Sequence, residues 1–198
     1  MFPSWRDQRL NVILALVLEG SLMLGPFWAV RAANPGPEVR PEARVEGEAR
    51  ANFLVAFAKY TLWPDDALAP VGGAFVVGVL GDDALGTALN AIQGLQIQGH
   101  RVVVKRFGAP SEIQGCHVLY FPKDQEWHFS VLKESLARQS VLTVGETQRF
   151  CDIGGALYLF NEGGRLRFIV NLETLKQAHL SVEARALSLA KRTIGKRL

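Results

Sequence analysis

Cysteine is scarce in this chain. Cys116 and Cys151 are the only two in 198 residues, too few for a disulfide scaffold or for paired C-x-x-C metal knuckles. Histidine is nearly as rare: His100, His117, His128 and His179 are scattered, with no spacing that suggests a metal-ligand set. His117 follows Cys116, but neighbouring residues on a strand point to opposite faces, so a Cys-His dyad cannot form there. A histidine hydrogen-bonded at a strand end is the expectation instead. No G-x-S-x-G elbow, H-E-x-x-H pair or P-loop occurs, which leaves a hydrolase without an activated nucleophile. Gly78, Gly81 and Gly86 miss the G-x-G-x-x-G spacing, and Asp82 and Asp83 would repel a pyrophosphate at that turn. An excess of one charge is lacking too, since a net +3 is too small to imply an acidic partner. No catalytic residue, cofactor site or metal site is therefore expected.

What is present is globular: 48% hydrophobic residues with 21% charged, enough for one domain plus appendages. The appendage is at the front. Arg6 and Arg9 precede an apolar run from Leu10 to Leu24, and Val30 and Ala32 are small residues where a signal peptidase reads. Residues 1–32 thus read as a cleaved secretory signal. An uncleaved anchor competes, because Leu10 to Val30 approaches the ~20 residues of a span, but Glu19 near its middle argues against stable insertion. Residues 33–48 carry Pro35, Pro37 and Pro41 with little to bury, and read as a disordered leader; residues 49–195 form the folded domain.

Within that domain, Phe53, Leu54, Phe57, Ala58 and Leu62 recur at helical steps until Pro64 stops them. Trp63 closes this helix and is expected to be buried against the sheet. Ala74 to Leu80 is apolar except for Gly78, so a strand here has no polar face and should be covered on both sides. Asp82 and Asp83 then suit the start of a helix over residues 84–92. Further strands are expected around Val102 to Val104, from Cys116 to Phe121 and from Val141 to Val144, with a helix from Trp127 to Ala137 that buries Val131, Leu132, Ser135 and Leu136. Strands alternating with helices imply parallel neighbours. Ala156 to Phe160 and Leu166 to Val170, joined through Gly163-Gly164, read instead as an antiparallel hairpin near one edge.

Helices over Glu173 to Ala178 and Val182 to Ile194 close the domain, the latter turning Leu187, Leu189, Ala190 and Ile194 inward. On it, Lys191 and Arg192 read as a solvated basic face, and without interleaved aromatics they do not suggest nucleic acid. The fold class is α/β: a three-layer Rossmann-like domain whose mixed sheet of about six strands joins a parallel βαβ part to a C-terminal antiparallel hairpin, with helices on both faces. Cys116 opens the third strand and Cys151 lies beyond the fourth. Parallel strands ~20 Å long put the two thiols toward opposite edges, while a disulfide needs Cα atoms within about 7 Å, so the two are expected to be unbonded.

Taken in order, Phe57 to Pro64, Phe75 to Asp83, Cys116 to Phe121, Val141 to Glu146, Phe150 to Leu157, Arg167 to Leu172 and Leu187 to Ala190 resemble the YfiR family of periplasmic regulators. The resemblance runs from Arg50 to Ile194. It implies a small α/β domain, often a homodimer, with no catalysis and no cofactor of its own. Its partner would be the periplasmic part of an inner-membrane sensor, a diguanylate cyclase or a histidine kinase, and repression of a cyclase would lower cyclic di-GMP. The family-motif residues Trp63, Pro64, Gly81, Asp82, Cys116, His117, Gly154, Gly155, Asn171 and Leu172 look architectural. Some relatives have four cysteines in two disulfides; with two, this chain cannot carry that pattern. A small-molecule-binding domain feeding a sensor kinase is the competing reading, and a pocket with convergent polar groups would favour it over a flat apolar patch.

The exported protein is expected to begin near Ala33 and to stay in the soluble periplasmic fraction. N-terminal sequencing checks this; Met1 recovered from the membrane pellet overturns it.

Overall fold

The computed structural model of the chain describes residues 41–68, 73–81 and 85–195. The signal segment, the first part of the leader, Asp82 and Asp83 lie outside these. In chain order the elements are α1 (Pro41–Lys59), β1 (Thr61–Leu62), α2 (Asp65–Leu68), β2 (Ala74–Leu80), β3 (Gln96–Ile97), β4 (His100–Phe107), β5 (Val118–Phe121), α3 (Phe129–Ala137), β6 (Leu142–Gly145), α4 (Gln148–Asp152), β7 (Leu157–Glu162), β8 (Arg165–Asn171), α5 (Leu172–Gln177), β9 (Ser181–Val182), α6 (Ala184–Leu187) and β10 (Arg192–Ile194), with short 3-10 turns between some of them.

The fold is mixed α/β, built on an eight-stranded sheet of order β10-β8-β7-β6-β5-β2-β4-β3; β1 and β9 pair separately. Strand β2 sits where its composition requires. It runs parallel between β4 and β5, opposing Val77 to both Val104 and Val118, and every residue from Phe75 to Leu80 is buried. Its two faces feed two apolar clusters. Phe75, Val77 and Val79 join Leu54 and Phe57 of α1 and Leu89, whereas Val76 and Leu80 join Phe129 and Leu136 of α3 and Phe150 of α4. Full burial of such side chains stabilises by about 1.5–3 kcal/mol each. The hairpin is antiparallel as expected, with Glu162 facing Arg165 across Gly163 and Gly164, both at positive φ (58° and 76°), which the primed two-residue turn requires.

Several expectations are corrected. The sheet has eight strands rather than six, because short β3 and β10 extend its two edges. The leader does not run to residue 48, since α1 starts at Pro41. Proline is compatible with the first helical turn, and Glu46–Arg50 (2.7 Å) and Arg44–Glu48 (3.4 Å) pairs support the helix after it. After β2 there is a 3-10 turn over Gly86–Ala91, without a side-chain cap, in place of a full helix. Val131 lies 80% exposed, so the buried face of α3 is Phe129 and Leu136. The long final helix does not form: α6 ends at Leu187 and Leu189 is 68% exposed. Arg192–Ile194 instead pairs parallel with β8, opposing Arg192 to Ile169. An apolar stripe with a helical period had hidden a strand too short to show its own alternation.

Trp63 is buried at the foot of α1. Its Nε1–H donates to the Ala58 carbonyl (3.2 Å), and its ring meets Phe75 edge-on with centroids 5.3 Å apart. Both cysteines are free and buried. Replacing Trp63 with Ala is expected to lower stability by about 3–5 kcal/mol, seen as an earlier urea midpoint; an unchanged midpoint would mean that the ring contributes nothing to the core.

Candidate functional site

The family-motif residues in the described region are points of assembly. Pro64 starts the turn into α2 through an Ala67 N–H bond to its carbonyl (2.9 Å). Gly81 leaves β2 at φ +85° while its N–H donates to Phe107 O (2.8 Å). Asn171 caps α5, accepting from Thr174 N (3.2 Å) and donating from Nδ2 to Cys151 O (3.2 Å). Gly155 shows why no side chain fits there, since a Cβ would stand 2.1 Å from the Phe150 ring. Gly154 sits beside it at φ +106°. Leu172, half-buried, begins α5. Cys116 and His117 lie just before β5 rather than within it.

His117 uses both ring nitrogens. Val76 N–H donates to Nδ1 (2.9 Å), which leaves the proton on Nε2 to bond the Ala67 carbonyl (3.0 Å). The ring stacks on Phe75 with centroids 4.6 Å apart. Burial is the main cause that holds its pKa below the ordinary 6.5, with His100 adding to the effect. It is a structural histidine, tying α2 to the sheet. Burial likewise pushes the Cys116 and Cys151 thiols up to about 12, which keeps them protonated and poor nucleophiles.

A charged cluster that spacing did not reveal closes the C-terminal ends of β5 and β6. Arg50 of α1 reaches Glu46 (2.7 Å), Glu146 (3.2 Å) and the Tyr120 hydroxyl (3.3 Å), while that hydroxyl donates to Glu146. Burial, then the nearby Glu146 charge, push the Tyr120 phenol far above its usual value, so it remains a donor. Buried Glu126 accepts from the backbone N–H groups of Glu146 (2.5 Å) and Thr147 (2.8 Å) and from the Thr147 hydroxyl. Open α/β sheets often hold ligands at this end. Here the protein's own side chains occupy it, satisfying one another. The partners lie 70 and 96 residues apart in the chain, beyond any local pattern.

Open space lies elsewhere. A cavity of about 200 Å³ is lined by Phe129, Lys133, Thr143, Gly154 and Thr174. A wider groove of about 740 Å³ runs between α5, β9 and α6, floored by Leu172, Leu175, Leu180 and Leu187, with Glu173, Lys176 and His179 at its rim. Among the described residues no group of His, Cys, Asp or Glu is placed to hold a metal ion.

This architecture, a mixed α/β domain, carries a family signature. The YfiR/HmsC-like family matches residues 47–191, and the chain belongs to that family. It is also similar to the crystal structure of a conserved domain protein from Vibrio cholerae O1 biovar El Tor strain N16961, at 11% identity and a TM-score of 0.46. That alignment covers 74% of this chain and 60% of the other.

The His117 geometry makes a pH prediction. Above 6.5 the ring is neutral folded or unfolded, and its full contribution is present. As pH falls below 6.5 the unfolded chain takes up a proton that the folded ring resists, so stability drops until the depressed folded pKa is passed. His117→Gln should therefore be less stable at neutral pH yet lose less stability between pH ~7 and ~5, measured by denaturant titration; equal slopes would refute this.

Proposed function

We propose that this protein is a non-catalytic periplasmic regulator that binds the periplasmic part of an inner-membrane signalling protein, a diguanylate cyclase in the first instance, and holds down cyclic di-GMP synthesis. Membership of the YfiR/HmsC-like family across residues 47–191 carries the reading. The described architecture is in keeping with it: the ionisable cluster of Arg50, Tyr120, Glu126 and Glu146 is internally paired, its carboxylates committed to structural hydrogen bonds. We take the domain as three-layer and Rossmann-like, with apolar clusters on both faces of the sheet. Export on a signal at residues 1–32 and association into a homodimer belong to the same reading.

A repressor of this kind works by favouring the inactive state of its sensor, and it shifts that balance by no more than its differential affinity for the two states. A second reading, a small-molecule sensor feeding a histidine kinase, is favoured by one observation. The α5–β9–α6 groove, about 740 Å³, is within the range that accepts small ligands, and its polar rim offers both charges.

Deleting the gene should raise cyclic di-GMP and surface attachment, and deleting the partner cyclase as well should abolish the rise. Unchanged cyclic di-GMP in the single deletion would remove the cyclase reading and leave the kinase one.

A further inference from the structure

Lys191 and Arg192, which spacing placed on a helix, lie instead at the sheet edge, Arg192 within β10 and Lys191 just before it. Strand register sets the arrangement: Tyr158, Phe160 and Glu162 of β7 share a face with Ile169, Arg167 and Arg165 of β8, and Arg192 of β10 stands opposite Ile169 on that face. Helix α4 packs against β7 and β8, bringing Cys151 to the Ile169 carbonyl (3.9 Å). The row toward the hairpin tip stays open, with Phe160 half-buried and Arg165 and Arg167 exposed. The Tyr158 and Phe160 rings stack on one another, with centroids 4.6 Å apart and planes at 21°. Lys191 places its ammonium 5.6 Å from the Phe160 ring centre and also pairs with Glu162, which Arg167 approaches at 3.8 Å.

Two properties of this face point to an occupant. Its exposed cations, Arg165, Arg167, Lys191 and Arg192, face one exposed acid, Glu162, while Glu126, which also acts on Tyr158, is buried and committed to Glu146 and Thr147. Helix α4 adds one residue of each sign, Arg149 and Asp152. Beside the cations, β10 ends the sheet order, and no strand among the described residues pairs with its outer side. In a parallel ladder alternate residues turn their N–H and C=O groups away from the partner strand, so the outer side of β10 presents unpaired donors and acceptors. An anionic lipid surface could use the charge but not the backbone groups. A polypeptide uses both.

We propose that β10 and the adjoining Tyr158–Phe160–Arg167 face form a docking site for an extended acidic segment of a protein partner, which adds to the sheet edge and sets its carboxylates against Arg167 and Arg192. The added strand gains main-chain hydrogen bonds, while the charges select its sequence and the aromatic pair receives an apolar side chain. The proposal rests on the reading that this domain acts by binding another protein, and it names the surface that does so.

The test uses the full chain and a short peptide of alternating Glu and Val, with a Lys-Val peptide as control. The acidic peptide binds and the basic one does not; raising the salt concentration about tenfold weakens binding several-fold. Binding slows amide exchange at Arg192 and Ile194. It falls about tenfold in Arg167→Glu/Arg192→Glu, and an intermediate loss in Arg167→Gln/Arg192→Gln with unchanged melting separates charge from misfolding. Absence of binding, equal binding of both peptides, or protection away from β10 overturns the proposal. So does attachment to phosphatidylglycerol vesicles without peptide binding. A dimer that already protects the β10 amides and is split by the double reversal overturns it too, making the occupant a second copy. A negative result here leaves the cyclic di-GMP experiment unaffected, and a negative result there leaves peptide binding at β10 intact.

Discussion

A strand without a polar side must be covered twice, and the rest of this domain follows from meeting that demand at β2. Phe75, Val77 and Val79 look one way, Val76 and Leu80 the other, so neither helix α1 nor the α3–α4 layer alone could hold the sheet. With covering helices on both faces, the central strands β4, β2, β5, β6 and β7 run parallel to one another. Direct reversals occur at two turns of positive φ, Gln98-Gly99 between β3 and β4 and Gly163-Gly164 between β7 and β8. Arg165, Arg167 and Arg192 are exposed toward the β8–β10 edge.

The connections that hold these layers in register are polar and few. His117 ties the carbonyl that ends α2 to the backbone of β2, Asn171 links α5 to α4, and Glu126 fixes the entry to α4 through Thr147. Each does so with its hydrogen-bonding groups paired, which is what makes a buried polar residue tolerable. The Arg50–Tyr120–Glu146 cluster does the same for α1. Removing one member would leave a buried partner without compensation, a larger loss than the pair itself contributes.

How much of this could be read from the chain depended on the length scale of the signal. The apolar run of β2, the helix ending at Trp63, the alternation of strand and helix, and the glycine turn of the hairpin are local patterns, and the structure has them. The family motifs are local too, and they resolve into caps, turns and close contacts. What escaped was non-local or very short. Arg50 finds Glu146 only after the sheet has formed, and β10 has three residues, too few to contradict the helical spacing of Leu187 and Ile194. Charge pairing between Glu46 and Arg50 outweighed the proline-rich composition that had marked the same stretch as unstructured. Val131 and Leu189 follow an apolar spacing yet are exposed, since no second layer among the described residues reaches them.

The state of the two sulfurs also bears on how the protein is made. Cys116 and Cys151 sit in separate apolar surroundings, each a protonated thiol with its pKa at about 12. No disulfide joins them, so cohesion comes from the packed core and the hydrogen bonds between its layers. The chain can therefore reach its native form without an oxidase or an isomerase to sort its thiols, and in a reducing cell as readily as in an oxidising one.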